Sequence, residues 1–218
     1  MLFAYGANLS PAILQKRGVW PLERAVPAVA PPDAVLSFCH RGGFATVDYA
    51  GQTAASNPPV SHDGDAADRT AGQHLVANAH AVSELCSVAQ PHGMLYSVSN
   101  TQLTKLSKRE TGYRLAVIPV TPYGEAISID AHVFVSRRML RLRRPVPPTQ
   151  RYLDLILSGA RSWELSDAYI SQLEQVPAAR PGGLPAEYFD TPSAVVAGAA
   201  VAGAALAAAC LIIWRAGL

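Results

Sequence analysis

The sequence predicts an α+β protein whose core is mostly β-sheet, followed by a C-terminal apolar helix. Short apolar runs bounded by Gly, Pro and polar residues recur along the chain, which is typical of strands, and helix start and stop signals lie between some of them. The chain has 218 residues, half of them hydrophobic, which is enough for one enzyme-sized core. An uncharged stretch rich in Ala and Val lies near the end of the chain.

The first predicted elements are a strand and a helix joined by a loop. Residues 2–5 form a short apolar run before a glycine, as at the end of a strand. Ser10 and Pro11 are favoured at a helix N-cap and first turn, so a helix is predicted over residues 12–17, with a glycine after it. The loop over residues 5–9 then points unpaired backbone N–H groups at whatever lies in front of it.

Two strands and an insertion are predicted next. Residues 34–39 and 44–49 read as strands on either side of a Gly pair. Residues 51–91 read as a partly disordered insertion, because its first part has almost nothing to bury. Its second part, up to Ala89, carries apolar residues at helical spacing and predicts an amphipathic helix.

The second half of the chain begins with a strand, a helix and a hairpin. Residues 93–98 read as the strand and residues 101–109 as the short helix, with Ser99 as its cap. Residues 113–120 and 127–135 read as a pair of hairpin strands. With the strands before them, these segments make the predicted core mostly sheet.

Two helices and a linker follow. One helix is predicted from Tyr152 to Gly159, where the glycine ends it, and another over residues 167–175. The domain is therefore expected to cover residues 1–177, and the Pro/Gly-rich residues 178–193 are expected to be a linker.

Residues 194–214 are predicted to form a single-pass membrane anchor. They carry no charge, and as a helix they would match the thickness of a bilayer's hydrocarbon core. The alternative is an Ala-rich helix packed on the domain or on a partner, because Ala and Gly contribute little to insertion. Gly198 and Gly203 permit close helix pairing, so a homodimer is an open alternative, although their spacing is not G-x-x-x-G.

The start of the chain does not resemble a signal peptide, so the domain is expected to face the cytosol.

Composition and cysteine spacing exclude several classes of function. A net charge of +2 provides no global field for nucleic acid, and the basic run over residues 137–144 is expected to be a solvated face. Cys39, Cys86 and Cys210 are scattered, with no Cys-x-x-Cys or Cys/His spacing, so neither a disulfide framework nor a zinc site is indicated. No metal and no cofactor are expected.

Two segments carry the chemistry. Glu110 stands two residues before Gly112 and three before Tyr113, and the chain opens with Phe-Ala-Tyr-Gly-Ala-Asn-Leu over residues 3–9. A carboxylate can take a proton from an amine, and a Tyr-Gly-x-Asn turn before a helix exposes N–H groups that can hold an anion. The pair resembles the γ-glutamylcyclotransferase family, which has an opening Tyr-Gly-Ser-Asn-Leu loop and a later Glu-x-x-Tyr element.

Two further pieces occur in the order of that family. They are the Gly-Gly-Phe-Ala-Thr-Val strand over residues 42–47 and the Pro-Pro-Thr-Gln-Arg-Tyr segment over residues 147–152, which leads to Ser-Gly-Ala at 158–160. Each piece alone is weak evidence for the family. Their order and joint presence over residues 1–177, apart from the insertion, make the resemblance specific.

The resemblance implies a fold, a reaction and a set of site residues. The fold is a small, twisted mixed β-barrel, partly closed, with helices packed on it. The reaction is the attack of a γ-glutamyl α-amine on its own γ-carbonyl, which gives 5-oxoproline and releases an amine. Glu110 matches the family's general base and acid. The residues that match its substrate-binding positions are Leu2, Phe3, Ala4, Tyr5, Gly6, Ala7, Asn8, Tyr113 and Tyr152. Ala7 replaces the family's usual Ser, which removes a hydroxyl contact but keeps a backbone N–H.

Three functions are compatible with these residues. The first is a γ-glutamylcyclotransferase acting on γ-glutamyl amino acids or peptides. The second keeps the fold and acts on γ-glutamyl amines such as γ-glutamyl-lysine. The third is a catalytically silent scaffold that binds small ligands at a membrane, in which Glu110 is only a solvated charge at a helix end and the two tyrosines are ordinary core aromatics.

Overall fold

A computed structural model describes residues 1–20, 25–49 and 84–179 of the chain. The strands in these residues are β1 (Leu2–Ala4), β2 (Val26–Val29), β3 (Val35–His40), β4 (Phe44–Asp48), β5 (Ser87–Ala89), β6 (His92–Tyr96), β7 (Tyr113–Pro122) and β8 (Ile129–Ser136). The α-helices are α1 (Pro11–Lys16), α2 (Asn100–Arg109), α3 (Gln150–Ser162) and α4 (Asp167–Glu174), with short 3-10 helices at Ala7–Leu9 and Arg138–Leu140.

Five strands close into a barrel in the order β1-β6-β2-β7-β8. Neighbouring strands run antiparallel except β8 and β1, which meet in parallel where Leu2 pairs with His132. The barrel is therefore mixed. The predicted α+β barrel with packed helices is confirmed.

A second sheet of three strands packs against the barrel in the order β4-β3-β5. Polar side chains connect it to its surroundings: the Ser136 N–H of β8 donates to Thr46 Oγ1 at 2.9 Å, and Arg141 pairs with the Asp48 carboxylate at the end of β4. This sheet supplies one wall of the cavity described below.

Local sequence signals predicted most elements within a few residues. The clearest case is α2, where the Ser99 Oγ accepts from the Gln102 N–H at 3.2 Å and the Gln102 side chain accepts from the Ser99 N–H at 2.9 Å. Each side chain satisfies a backbone donor that the helix leaves unpaired, so this helix start is encoded locally.

The helix predicted up to Ala89 is wrong at its end. Residues 87–89 form strand β5, which pairs with Val35, Leu36 and Ser37 of β3. Pairing with β3 satisfies backbone groups of both strands and buries Val88, which a helix on the surface would not do. The expected insertion over residues 51–91 thus ends in structured chain, while its residues 51–83 lie outside the described part.

The prediction that Gly159 ends its helix is wrong. Helix α3 continues to Ser162, and Gly159 is buried within it. A Cβ at this position would lie 2.8 Å from Leu9 Cβ, so the glycine permits close contact between α3 and the 3-10 helix over residues 7–9. The Leu9 carbonyl is also held by the Trp163 Nε1–H at 2.8 Å. Packing, rather than chain termination, therefore explains this glycine, and it fixes the loop that carries Asn8.

The C-terminal predictions lie mostly outside the described residues. Ala179 forms a β-bridge with Thr149, so the folded chain continues past the expected boundary at residue 177. The rest of the expected linker and the apolar segment 194–214 are not described. Within the described ranges, no helix combines the length and the apolar character needed to cross a membrane.

Candidate active site

A cavity of ≈ 360 Å³ opens at one end of the barrel, between the loop after β1, the end of α2 and the start of α3. The predicted site residues that line it are Phe3, Ala4, Tyr5, Gly6, Ala7, Asn8, Glu110, Tyr113 and Tyr152. The other lining residues are Ile13, Arg17, His40, Phe44, Ala45, Thr111, Phe134 and Leu155. Segments separated by about a hundred residues in sequence thus meet around one space.

Leu2 is the predicted binding residue that does not line the cavity. It is fully buried in β1, where it pairs with Tyr96 of β6 and His132 of β8. Its place is in the barrel core, and its side chain contributes to packing.

Glu110 is held at the cavity by two donors from the N-terminal segment. It follows the last residue of α2, and its side chain is only 12% exposed. The Asn8 Nδ2–H donates to Glu110 Oε1 at 2.8 Å, and Arg17 Nη1 forms an ion pair with the same oxygen. Arg17 Nη1 also donates to Asn8 Oδ1 at 2.6 Å, which closes a triangle of three side chains. In the described residues no hydrogen bond reaches the other oxygen, Oε2, which leaves it able to accept a proton from a ligand.

Three tyrosines lie around the cavity, Tyr5 buried and Tyr113 and Tyr152 partly buried. The Tyr5 hydroxyl donates to the Phe134 carbonyl, and the Tyr113 hydroxyl donates to the Ala45 carbonyl at 3.0 Å. The Tyr152 hydroxyl accepts from the Ala45 N–H at 3.3 Å, so its own hydrogen can point toward a ligand.

Burial sets the protonation state of these tyrosines. Desolvation raises the pKa of Tyr152 to about 12 and holds the pKa values of Tyr5 and Tyr113 well above the usual value for a phenol. All three hydroxyls therefore remain protonated at neutral pH. They can serve as hydrogen-bond donors but not as bases.

Gly6 brings the loop backbone next to Tyr152. A Cβ on Gly6 would lie 3.1 Å from the Tyr152 hydroxyl oxygen. The glycine therefore lets the backbone of the loop approach the cavity wall closely, as the turn predicted there requires.

Arg17 lines the cavity, and sequence reasoning missed it. The sequence predicts it only as the last residue of a helix, yet its side chain reaches Asn8 and Glu110. The available signal was the spacing of Ile13 and Arg17, since residues four apart lie on one helix face, and both line the cavity. Which residue would oppose that face could not be read from sequence.

His40 and Phe44 were also missed, and they form the wall that the three-stranded sheet supplies. The His40 ring stacks on Tyr113 with centroids 4.2 Å apart, and its Nδ1 is 2.8 Å from Ser136 Oγ. The Phe44 ring meets Tyr152 edge-on at 5.0 Å and is 44% exposed at the cavity mouth. This side of the cavity is aromatic and uncharged.

The His40 environment predicts a pH-dependent stability. Desolvation, with a smaller contribution from the positive charge of Arg41, lowers the pKa of His40 to about 4 from an ordinary value of 6.5. The unfolded chain therefore binds the proton more readily than the folded one, so this stability is present above about pH 6.5 and is lost as pH falls toward 4. Between pH 7 and 5 the loss should be about 2 kcal/mol.

Urea unfolding of wild type and His40→Gln at pH 7 and pH 5 measures this effect. The variant should lose less stability than wild type over that interval, because glutamine does not titrate. Equal pH dependence in the two proteins would contradict the assignment.

In the described part of the chain, no three His, Cys, Asp or Glu side chains are grouped so that they could hold a metal ion.

Comparisons with known proteins identify related folds. Residues 91–173 match the model of the AIG2-like family. A solved structure named gamma-glutamyl cyclotransferase is 18% identical over 86% of this chain and 94% of its own, with a TM-score of 0.53. No curated protein sequence matches the chain.

Two further solved structures are similar. YkqA from Bacillus subtilis is 22% identical over 82% of this chain and 55% of its own, with a TM-score of 0.53. An uncharacterized protein from Homo sapiens is 19% identical over 86% of this chain and 94% of its own, with a TM-score of 0.50. At these identities the likeness shows the fold, and at that level the predicted γ-glutamylcyclotransferase-like resemblance is confirmed.

Proposed function

We propose that this chain, with its γ-glutamylcyclotransferase-like fold, is a γ-glutamylcyclotransferase that uses Glu110 as general base and acid. The observation that carries the proposal is the position of Glu110 in the cavity. One carboxylate oxygen is held by Asn8 and Arg17, and the other is open to a ligand. A carboxylate fixed in this way can exchange a proton with a bound amine.

The proposed reaction needs one proton carrier. The α-ammonium of the γ-glutamyl group gives a proton to Glu110, and its nitrogen then attacks the γ-carbonyl carbon to form a five-membered tetrahedral intermediate. The protonated Glu110 returns that proton to the leaving nitrogen and, again a carboxylate, takes the second proton from the ring nitrogen as the bond between carbon and the leaving nitrogen breaks. This second proton passes to the released amine, so 5-oxoproline and an ammonium product result. Because nucleophile and electrophile belong to one molecule, tethering supplies much of the rate.

The oxygen of the intermediate needs hydrogen-bond donors. The hydroxyl of Tyr152 and the backbone N–H groups of residues 5–8 are the proposed donors, since they border the cavity next to Glu110. The Tyr152 hydroxyl stays protonated because burial raises its pKa. Tyr113 is proposed to shape the cavity, since its hydroxyl is already engaged by the Ala45 carbonyl.

The leaving group distinguishes two proposed substrate classes. γ-Glutamyl amino acids and peptides are the first, and γ-glutamyl amines such as γ-glutamyl-lysine are the second. The aromatic wall formed by His40 and Phe44 carries no charge at neutral pH and can pack against the carbon chain of either leaving group. The silent scaffold is the third reading, and an assay decides it.

The test is release of 5-oxoproline by the full-length protein from a panel of γ-glutamyl compounds. The panel contains γ-glutamyl amino acids, glutathione and γ-glutamyl-lysine, with α-glutamyl dipeptides as negative controls. Equal amounts of 5-oxoproline and free amine from at least one γ-glutamyl compound support the proposal. If none of the γ-glutamyl compounds releases 5-oxoproline, the scaffold function is favoured.

From composition alone we further propose that residues 194–214 anchor a catalytic domain, residues 1–177 extended to Ala179, to a membrane on its cytosolic side. Full-length protein should pellet with membranes and resist alkaline carbonate, whereas a chain ended at Asp190 should not pellet. Leu206→Asp, near the middle of the segment, should release the protein at a cost to insertion of about 3 kcal/mol, and Leu206→Ile should not. Full-length protein that stays in the supernatant would instead favour an Ala-rich helix packed on the domain or on a second copy.

A further inference from the structure

We propose that Arg17 binds the α-carboxylate of the γ-glutamyl substrate, leaving Glu110 for it when the substrate enters. This inference rests on the proposed function. It assigns a substrate-binding role to a residue outside the segments in which the resemblance places the site.

Arg17 lines the cavity, and part of its guanidinium is available to bind a ligand. Its guanidinium uses Nη1 for both Glu110 and Asn8, and its side chain is 26% exposed. Over the described residues, Nε and Nη2 make no hydrogen bond with the protein. A guanidinium presents several N–H groups in one plane and can grip a carboxylate with two of them.

The charges of the cavity-lining residues also favour Arg17 as the partner of a carboxylate. Among the lining residues that the structure describes, it is the only permanent cation, since His40 is held neutral by its lowered pKa. The tyrosine hydroxyls are donors without charge. A substrate carboxylate that enters this cavity therefore finds its strongest partner in Arg17.

Covalent geometry decides which substrate carboxylate meets it. The ammonium and the α-carboxylate of a γ-glutamyl group are bonded to the same carbon, through bonds of about 1.5 Å each. If the ammonium contacts Glu110, the α-carboxylate must lie beside it, where the guanidinium already touches Glu110. A carboxylate on the leaving group lies on the far side of the scissile amide and is attached through freely rotating bonds. The contact between the ammonium and Glu110 therefore does not place that carboxylate beside Arg17.

The exchange keeps every charge paired. Without substrate, Arg17 and Glu110 neutralise each other, which avoids leaving a half-buried ion alone. With substrate, the ammonium pairs with Glu110 and the α-carboxylate pairs with Arg17, so each of the four charges has a partner of opposite sign. The carboxylate thus draws the guanidinium away from Oε1, which leaves Glu110 with its amide donor, Asn8, and the substrate.

Substrate pairs with and without the carboxylate test this directly. A γ-glutamyl amide is compared with the matching 4-aminobutanoyl amide, which lacks only the α-carboxylate and cyclises to 2-pyrrolidinone. Wild type should prefer the γ-glutamyl amide, and Arg17→Met should lower kcat/KM for that substrate by about 10- to 100-fold while changing the other much less. Effects of Arg17 on Glu110 itself are common to both substrates and cancel in the ratio.

Three further variants sharpen the comparison. Arg17→Gln should lose the preference as Arg17→Met does, and it takes the place of that variant if Arg17→Met does not fold. Arg17→Lys should recover part of the preference, because it restores the charge without the planar fork. Arg109→Met removes an exposed arginine next to Glu110 in sequence and should leave the ratio unchanged.

The outcomes separate this inference from the proposed function. A neutral Arg17 variant that keeps the full wild-type preference overturns the inference while leaving the function intact. If wild type turns over neither amide, the proposed function fails, and calorimetric titration of the two amides then decides the role of Arg17. Tighter binding of the γ-glutamyl amide by wild type alone supports the role, whereas equal discrimination in the neutral variant, or no binding of either amide, overturns it.

Discussion

Glu110→Gln should lower kcat for 5-oxoproline release by at least about 100-fold, and by as much as about 10⁴-fold, because one group is proposed to serve as both base and acid. The amide keeps the size of the side chain, and its oxygen can still accept hydrogen bonds from Asn8 and Arg17. The midpoint of thermal unfolding should therefore change little. Substrate affinity should fall by much less than kcat, because the ammonium loses its ion pair while the rest of the substrate keeps its contacts. The measurements are single-turnover release of 5-oxoproline, calorimetric titration of substrate and thermal denaturation.

Glu125→Gln is the matched control for that experiment. Glu125 is exposed in the turn between β7 and β8 and does not line the cavity, so its substitution should leave kcat at the wild-type value. Wild-type turnover by Glu110→Gln would remove Glu110 from the chemistry. A large fall in its thermal stability would instead show that the carboxylate mainly holds the loop to α2.

Gly93→Ala should produce the largest loss of stability among single methyl additions in the barrel. Gly93 lies in β6 between β1 and β2, and a Cβ there would sit 2.2 Å from the Ala4 carbonyl oxygen and 2.9 Å from the Phe3 ring. The first of these neighbours is backbone, so the strands themselves must move apart. The free energy of unfolding should fall by about 3 kcal/mol or more.

Activity should fall with it, because β1 leads directly into the loop that carries Gly6 and Asn8. Urea unfolding gives the stability, and 5-oxoproline release at a temperature where the variant is folded gives the activity. Gly124→Ala is the control: it has a positive φ of 77° and open space around it, so strain alone should cost it about 1 kcal/mol. Equal stability of the two variants would show that β6 does not pack on β1 in this register.

Local patterns in the sequence were sufficient for most of the secondary structure. The hairpin of β7 and β8 and the helix α2 were predicted because alternation, capping residues and turn residues act over a few neighbouring positions. The two segments that carry the site were recognisable for a related reason: Glu110 and residues 3–9 keep a characteristic order of residue types along the chain. Neither segment shows by itself that the other lies across the cavity.

The failed predictions involve contacts between distant segments. Gly159 looked like a helix end because glycine often is one, whereas its actual constraint is the space that Leu9 leaves. Residues 87–89 had helical spacing, but pairing with β3 made them a strand, because backbone groups at a sheet edge gain more from a partner strand than from local propensity.

The sequence by itself thus determined the class of fold, the order of most elements and the carboxylate that lines the cavity. The tertiary structure alone decided that Leu2 belongs to the core, that Arg17 and Asn8 share one oxygen of Glu110, and that an aromatic wall faces them. The physical reason is range. Capping and alternation act between near neighbours in the chain, whereas barrel closure brings together side chains about a hundred residues apart, and their pairing depends on the register of strands that lie between them.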